Sequence, residues 1–396
     1  MKWFRDIGPG VLIAAAFIGP GTVTLCTIAG ASFGYSLIWA IILSTFSTIV
    51  LQEMSLRIGL VTRMNLAEVI RTSIKSKILN RFIILLIISS ILIGNTAYEA
   101  GNITGASLGI SAIINYESIN YIPVFIGLIA FVILIQGDYK ILEKSLVSLV
   151  IVMSISFFIT AIMTKPDITS LLKGIFKPQV NSSNLIVVLG LIGTTVVPYN
   201  IFLHSSLVSE KWNSIEKLKV ARIESFISIL LGGLVSLSII ITAASVSNQN
   251  VTGVIDLAKG LEPLYGKFAI YFLGLGLFAS GITSSITAPL AAAYVAKSCF
   301  SWNNSLKSKR FRLVWIFILI TGVFVSMIKI NPIEIIKFAQ FSNSLLLPII
   351  AIILLWLINN KNIISSKFNY KYQNIFGVFI VIISLVLGIK GLISLF

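Results

Sequence analysis

Long apolar runs, separated by short polar or basic stretches, follow one another along the whole chain, near 9–32, 35–57, 80–110, 120–137, 141–163, 184–208, 223–247, 266–298, 311–330, 333–358 and 373–395. A run of roughly 18 or more apolar residues is long enough to cross a bilayer as a helix, so the pattern predicts eleven spans. The third and eighth runs exceed bilayer thickness, which predicts tilt or extension beyond the membrane. The linker Asn65–Arg71 keeps helical spacing but is short and charged, and predicts an interfacial turn of helix.

Two spans cannot be continuous. Ile18-Gly19-Pro20-Gly21-Thr22 lies in the middle of the first run, where proline removes a hydrogen-bond donor and flanking glycines add no side-chain support. Val196-Val197-Pro198-Tyr199-Asn200 interrupts the sixth run in the same way. Backbone freed at membrane depth survives only where it is buried in protein or lines a cavity. Paired interruptions in corresponding halves point to the substrate site of a secondary transporter. The predicted fold is therefore all-α and polytopic, a single transmembrane domain. Its repeats cover about 9–163 and about 184–358, with an extra helix at about 373–395. Five is odd, so the repeats are inverted and the two breaks meet near the midplane.

Composition agrees: 57% hydrophobic and 11% charged residues exclude a soluble globular domain. The net charge of +16 would fit a nucleic-acid binder, but its distribution answers otherwise. With the N-terminus cytoplasmic, the inside segments hold most of the basic residues, from Lys2 and Arg5 through Arg57, Arg71 and Arg222 to Lys371. The outside segments hold only Lys165, Lys173, Lys177, Lys259, Lys267, Lys329 and Lys390. This bias predicts a multi-pass protein of the cell membrane with its C-terminus outside. No nucleic-acid partner is expected; the partners are the bilayer and a small-molecule or ion substrate. Cys26 and Cys299 are expected to remain unpaired.

Candidate chemistry is sparse. Glu99 is the deepest ionisable residue, a proton carrier, a counter-charge for a cationic group or a hydrogen-bonding partner for a neighbouring broken helix, and Asn95, Tyr98 and Asn102 share its helix face. Glu53 and Arg57, four apart, read as a local pair at the interface. His204, the only histidine, reads equally as a pH-responsive group or a hydrogen-bonding neighbour. Gln340 interrupts the tenth run and either lines the pathway or joins helices. The small-residue run Ala279–Ser285 reads first as a packing surface, with cation ligation by its hydroxyls as the alternative. At the breaks, Gly19, Gly21, Thr22, Thr194, Val197, Tyr199 and Asn200 offer hydroxyls, an amide and bare backbone but no carboxylate. Such a site suits a small zwitterion, its carboxylate at half-helix N–H groups, better than a naked divalent ion. No enzyme constellation, cofactor motif or metal-ligand cluster is visible.

At these residues the chain resembles the NRAMP family of proton-coupled divalent metal transporters, which have a LeuT-like fold. The segments Ala29–Tyr35, Asn65–Glu68, Gly105–Gly109 and Leu203–Leu207 carry the likeness. The family's metal site uses Asp-Pro-Gly-Asn in span one and Met-Pro-His in span six. Here Gly19 and Thr22 stand for the Asp and Asn, Val197 and Tyr199 for the Met and His, and Thr194 for a carbonyl-donating Ala. The family's acidic pair in span three is reduced to Glu99 and Asn102, while His204 and Gln340 fall on family positions. The resemblance implies a secondary transporter with proton coupling through Glu99, Asn102 and His204. The lost ligands favour an organic solute such as an amino acid, with a divalent cation (Mg²⁺ or Mn²⁺) as the alternative. Loss of the chelating side chains also predicts a larger, less acidic cavity.

Overall fold

A computed structural model of the chain describes residues 9–10, 13, 18–114, 121–136, 140–212, 214–246, 251, 253–302, 308–328, 330–365 and 370–393, without the side chains of 140–146. Much of the first half of span one, with Lys2, Arg5 and Lys329 of the charge count, lies outside these residues. Helices occupy Pro20–Phe33 (α1), Ile38–Thr62 (α2), Leu66–Ser73 (α3), Lys77–Ile114 (α4), Ile122–Gln136 (α5), Lys140–Met163 (α6), Ile168–Phe176 (α7) and Leu185–Thr195 (α8). They continue with Pro198–Lys211 (α9), Leu218–Ala244 (α10), Val254–Lys259 (α11), Glu262–Tyr265 (α12), Ala269–Cys299 (α13), Lys309–Ser326 (α14), Pro332–Asn359 (α15) and Lys371–Ile393 (α16). No strand occurs among the described residues. A helix satisfies its backbone internally, which apolar segments in lipid require.

Each apolar run carries helix, yet length and apolarity qualify seven of the described stretches to cross a bilayer, α8 and α9 counting as one. An eighth is added if the bent pair 147–163 and 168–176 is one span. The difference from eleven has local causes. Helix α5 has only 15 residues, α14 opens on Lys309, Arg310 and Arg312, and α1 is the described half of a broken run. At 38 residues, α4 is roughly 57 Å long and does overrun the membrane.

Helix α3 forms where the linker predicted one, capped by the Asn65 side chain, which accepts from Glu68 N at 3.0 Å. Helix α7 leaves α6 at 117°. The Asp167 carboxylate caps it by accepting from Ser170 N (2.9 Å) and Thr169 N (3.2 Å), and these bonds, Ser170 foremost, hold that carboxyl below its ordinary range.

Packing repeats when the first five spans are exchanged with the second five. Helix α1 packs on α10 as α9 packs on α2, and α4 packs on α15 as α13 packs on α6. The central and most extensive contact is between the corresponding long helices α4 and α13. It is backbone on backbone: a Cβ on Gly109 would stand 2.6 Å from Phe278 N, and one on Gly274 would stand 2.8 Å from Gly109 O. In lipid, where apolar burial gives helices no reason to associate, such close approach supplies the dispersion energy. Gly109→Ala gains about 1 kcal/mol of helix propensity but forces these helices apart, so a net loss of about 1–3 kcal/mol is expected. Unfolding of the detergent-solubilised protein measures it, and a variant as stable as wild type would show that the contact yields freely.

Candidate functional site

The two breaks use one local solution. Gly19 is extended (φ −116°, ψ −176°) and Pro20 starts α1. Val197 is extended (φ −88°, ψ 118°) and Pro198 starts α9. A proline at the first helical position loses nothing, because that N–H has no intrahelical acceptor in any case. In the sixth span the preceding half, α8, ends at Thr195, and Val196 and Val197 carry the chain across the gap.

The breaks meet. Thr22 Oγ1 and Thr194 Oγ1 are 2.7 Å apart, both fully buried. Helix α15 crosses over the pair: the Gln340 side chain lies on Gly21, its backbone carbonyl lies on Gly193, and Asn343 Nδ2 donates to Gly193 O at 3.4 Å. On the far side Pro20 sits in the space left by Gly105 of α4. Beside Thr22, the Gln340 side chain occupies the space over Gly21. Small residues at 21, 105 and 193 let the helices approach closely.

Gly19 faces span eight, where Ser284 Oγ would be 3.3 Å from a Cβ there, and span three, where the Tyr98 hydroxyl would be 3.9 Å away. Tyr98 meets Tyr199 edge-on, with ring centroids 5.5 Å apart. Val197, Tyr199 and Asn200 are buried, and the Tyr199 hydroxyl, both amide atoms of Asn200 and Oε1 of Gln340 have no hydrogen-bond partner. The polar face of α4 is buried as its spacing predicted, but its members serve different neighbours. Asn95 Nδ2 donates to Ala288 O at 2.7 Å, Tyr98 reaches the break, and Glu99 lies against Gly322 of α14. Asn102 Nδ2 donates to Glu99 Oε2 at 3.3 Å.

His204 stands one turn beyond the second break, and its Nδ1–H donates to Gln52 Oε1 of α2 at 2.9 Å, leaving Nε2 without a partner. Glu53, one residue on, bonds Arg57 at 3.0 Å and Arg222 of α10 at 2.7 Å. Both guanidinium groups also lie over the Tyr370 ring, at 5.1 and 4.5 Å. The local pair read from the sequence is thus part of a cluster joining α2, α10 and the approach to α16. Gln52, Ser284 and Arg222 gave no sequence signal for these contacts, since each partner is distant in the chain. Among the described residues no three His, Cys, Asp or Glu side chains gather as a metal cluster. What the breaks offer is hydroxyl, amide and backbone oxygen.

The model of the natural resistance-associated macrophage protein-like (Nramp) family matches residues 10–394. A divalent metal cation transporter MntH of Bacillus subtilis is 27% identical over 98% of this chain and 92% of its own length. One from Caldanaerobacter subterraneus is 26% identical over 99% and 93%. In three dimensions the Eremococcus coleocola manganese transporter superposes with a TM-score of 0.80, at 20% identity over 100% of this chain and 87% of that one. Mhp1, a nucleobase-cation-symport-1 family transporter, does so at 0.61, with 15% identity over 98% and 90%. These superpositions show a LeuT-like fold with inverted repeats and discontinuous first and sixth helices.

The Thr22–Thr194 bond is measurable by a double-mutant cycle with Thr22→Val and Thr194→Val. Each single change is expected to cost about 1–3 kcal/mol, with a coupling of about 0.5–1.5 kcal/mol, because the second substitution removes a hydroxyl that has already lost this partner. Additive losses would mean that the two hydroxyls do not depend on each other.

Proposed function

The chain belongs to the Nramp family of multi-pass membrane transporters, and from that premise we propose that the solute it carries is a hard divalent cation, Mg²⁺ or Mn²⁺, held by oxygen atoms and part of its own hydration shell. The observation that carries this reading is the meeting of two broken spans through Thr22 and Thr194, with the Gln340 and Asn200 amides buried close to the breaks in sequence or space. Relatives similar over nearly their full length bear the name of divalent metal cation transporters. Amide, hydroxyl and carbonyl oxygens suit Mg²⁺ and Mn²⁺, and Mg²⁺ in particular retains waters that lend its charge to neutral ligands. Thioether selection for softer metals has no counterpart at Val197. The distribution of basic residues supports a cytoplasmic N-terminus. Glu99, bonded by Asn102, is the charged group through which a driving ion acts, with His204 next in line.

A second reading, a small zwitterionic solute, is favoured by one observation: neither break bears a side-chain charge, and α1 presents its N-terminal N–H groups there. A thermal-shift screen of the purified protein against Mg²⁺, Mn²⁺, Ca²⁺ and amino acids separates the two, since a ligand stabilises by mass action. Mg²⁺ or Mn²⁺ is expected to stabilise, and the shift is expected to shrink in Thr22→Val and Gln340→Leu. Stabilisation by an amino acid alone would overturn the cation reading. Micromolar Cd²⁺ binding is not expected in wild type, and Gly19→Asp with Thr22→Asn and Val197→Met is expected to introduce it; calorimetric titration measures both. No gain in the triple variant would mean that the surrounding shell has diverged as well.

A further inference from the structure

The charged cluster at the basic end of α2 leaves one of its arginines short of partners. Arg222 Nε donates to Glu53 Oε1 at 2.7 Å, while the other oxygen of the same carboxylate accepts from Arg57 Nη2 at 3.0 Å. One negative charge is thus shared by two guanidinium groups. Among the described residues Arg222 forms no further ion pair, and its buried Nη2 has no hydrogen-bond partner. The Tyr370 ring lies against this guanidinium at 4.5 Å and offers only the face of its π-system. The Arg222 side chain is still 26% exposed, so an anion can reach it from outside. A guanidinium so placed has charge and donors to spare, and its planar fork suits phosphate oxygens.

Beside it runs an apolar groove. Along α2 the residues Ile42, Phe46, Ile49 and Glu53 recur at helical spacing, and each is exposed or half-buried where most of the helix is buried. Helix α10 covers one side of this stripe, with Gly233 on Thr45. Helix α16 covers the other, with Phe376 edge-on to Phe46 at 5.1 Å and Gly377 on Met54. These two helices pack on α2 but not extensively on one another, so the stripe forms the floor between them. Both are apolar and exposed at Phe226 and Leu230 of α10 and at Phe376 and Phe379 of α16. The floor ends at Glu53, and therefore at Arg222 and Tyr370, where α10 and α16 begin.

We propose that the groove between α10 and α16 is a binding site for one anionic phospholipid, its phosphodiester on Arg222 beside Tyr370 and an acyl chain along the Ile42, Phe46 and Ile49 stripe of α2. The single negative charge of the phosphodiester supplies what Glu53 divides between two arginines. Lys219 and Lys371, both exposed and each in the first turn of its helix, add attraction for an anionic headgroup. A soluble anion would meet the charge but gain nothing from the groove. A zwitterionic lipid would fill the groove but bring a cationic group back to the arginines. An anionic lipid answers both features at once, and its binding joins α16, which lies outside the two repeats, to α2 and α10. The site does not depend on which solute the chain carries.

The test is native mass spectrometry of the full chain in detergent, after incubation with equal amounts of phosphatidylglycerol and phosphatidylcholine of identical acyl chains. One phosphatidylglycerol retained per chain, in preference to phosphatidylcholine, is expected. Arg222→Gln should weaken that retention about tenfold, the loss typical of one charge-assisted contact. Ile49→Trp, which fills the floor of the groove and leaves every charge in place, should weaken it as well, and it decides the matter alone if Arg222→Gln fails to fold. Glycerol phosphate, the same headgroup chemistry without chains, is expected not to compete at the concentration of the lipid. Equal retention of the two lipids overturns the site, as does retention that either variant leaves unchanged. Displacement by glycerol phosphate would make it a site for soluble anions, and a lipid-free dimer would seat a second copy of the chain in the groove; either result overturns the lipid assignment.

Discussion

Everything in this fold answers to the cost of free backbone in a membrane. Two prolines open two spans at mid-depth, and the polar groups so released must be met by protein. The structure meets them with each other: threonine to threonine across the breaks, α15 laid over both through Gln340 and Gly193, and Pro20 seated in Gly105. That arrangement brings the two breaks together and packs them closely. The Thr22–Thr194 and Gly21–Gln340 contacts hold the two breaks together in this structure.

Around this centre the ionisable groups are few and divided by side. Glu99 and Asn102 lie between α4, α13 and α14, while His204, Gln52 and the Glu53–Arg57–Arg222 cluster lie along α2, α9 and α10. The second group ties broken α9 to α2 through His204 and Gln52, and α10 to α2 through Arg222 and Glu53, while the Glu99–Asn102 bond lies within α4.

The family likeness and the departures from it are compatible in physical terms. Inverted repeats, broken helices and the packing of α4 on α13 depend on proline, glycine and apolar runs, which this chain keeps. The proposed choice of solute rests on a few positions at the breaks, Gly19, Thr22, Val197 and Tyr199, which can change without disturbing that packing. The fold and the chemistry of the site are thus carried by different residues.

The sequence by itself determined the apolar runs, the two breaks and their pairing, and the burial of the polar face of α4, because each follows from local rules: the length needed to cross lipid, the missing proline N–H, and the helical period. It also marked Glu99, His204 and Gln340 as unusual, because polar groups at membrane depth are costly wherever they point. Tertiary structure alone decided their partners. That Tyr98 and not Glu99 reaches the break, that Gln340 fills the space over Gly21, that Gln52 holds His204 and that Ser284 and Ser285 turn from their own helix are set by helix rotation and approach. Those depend on glycine-mediated contacts between residues up to hundreds of positions apart, and no local pattern records them.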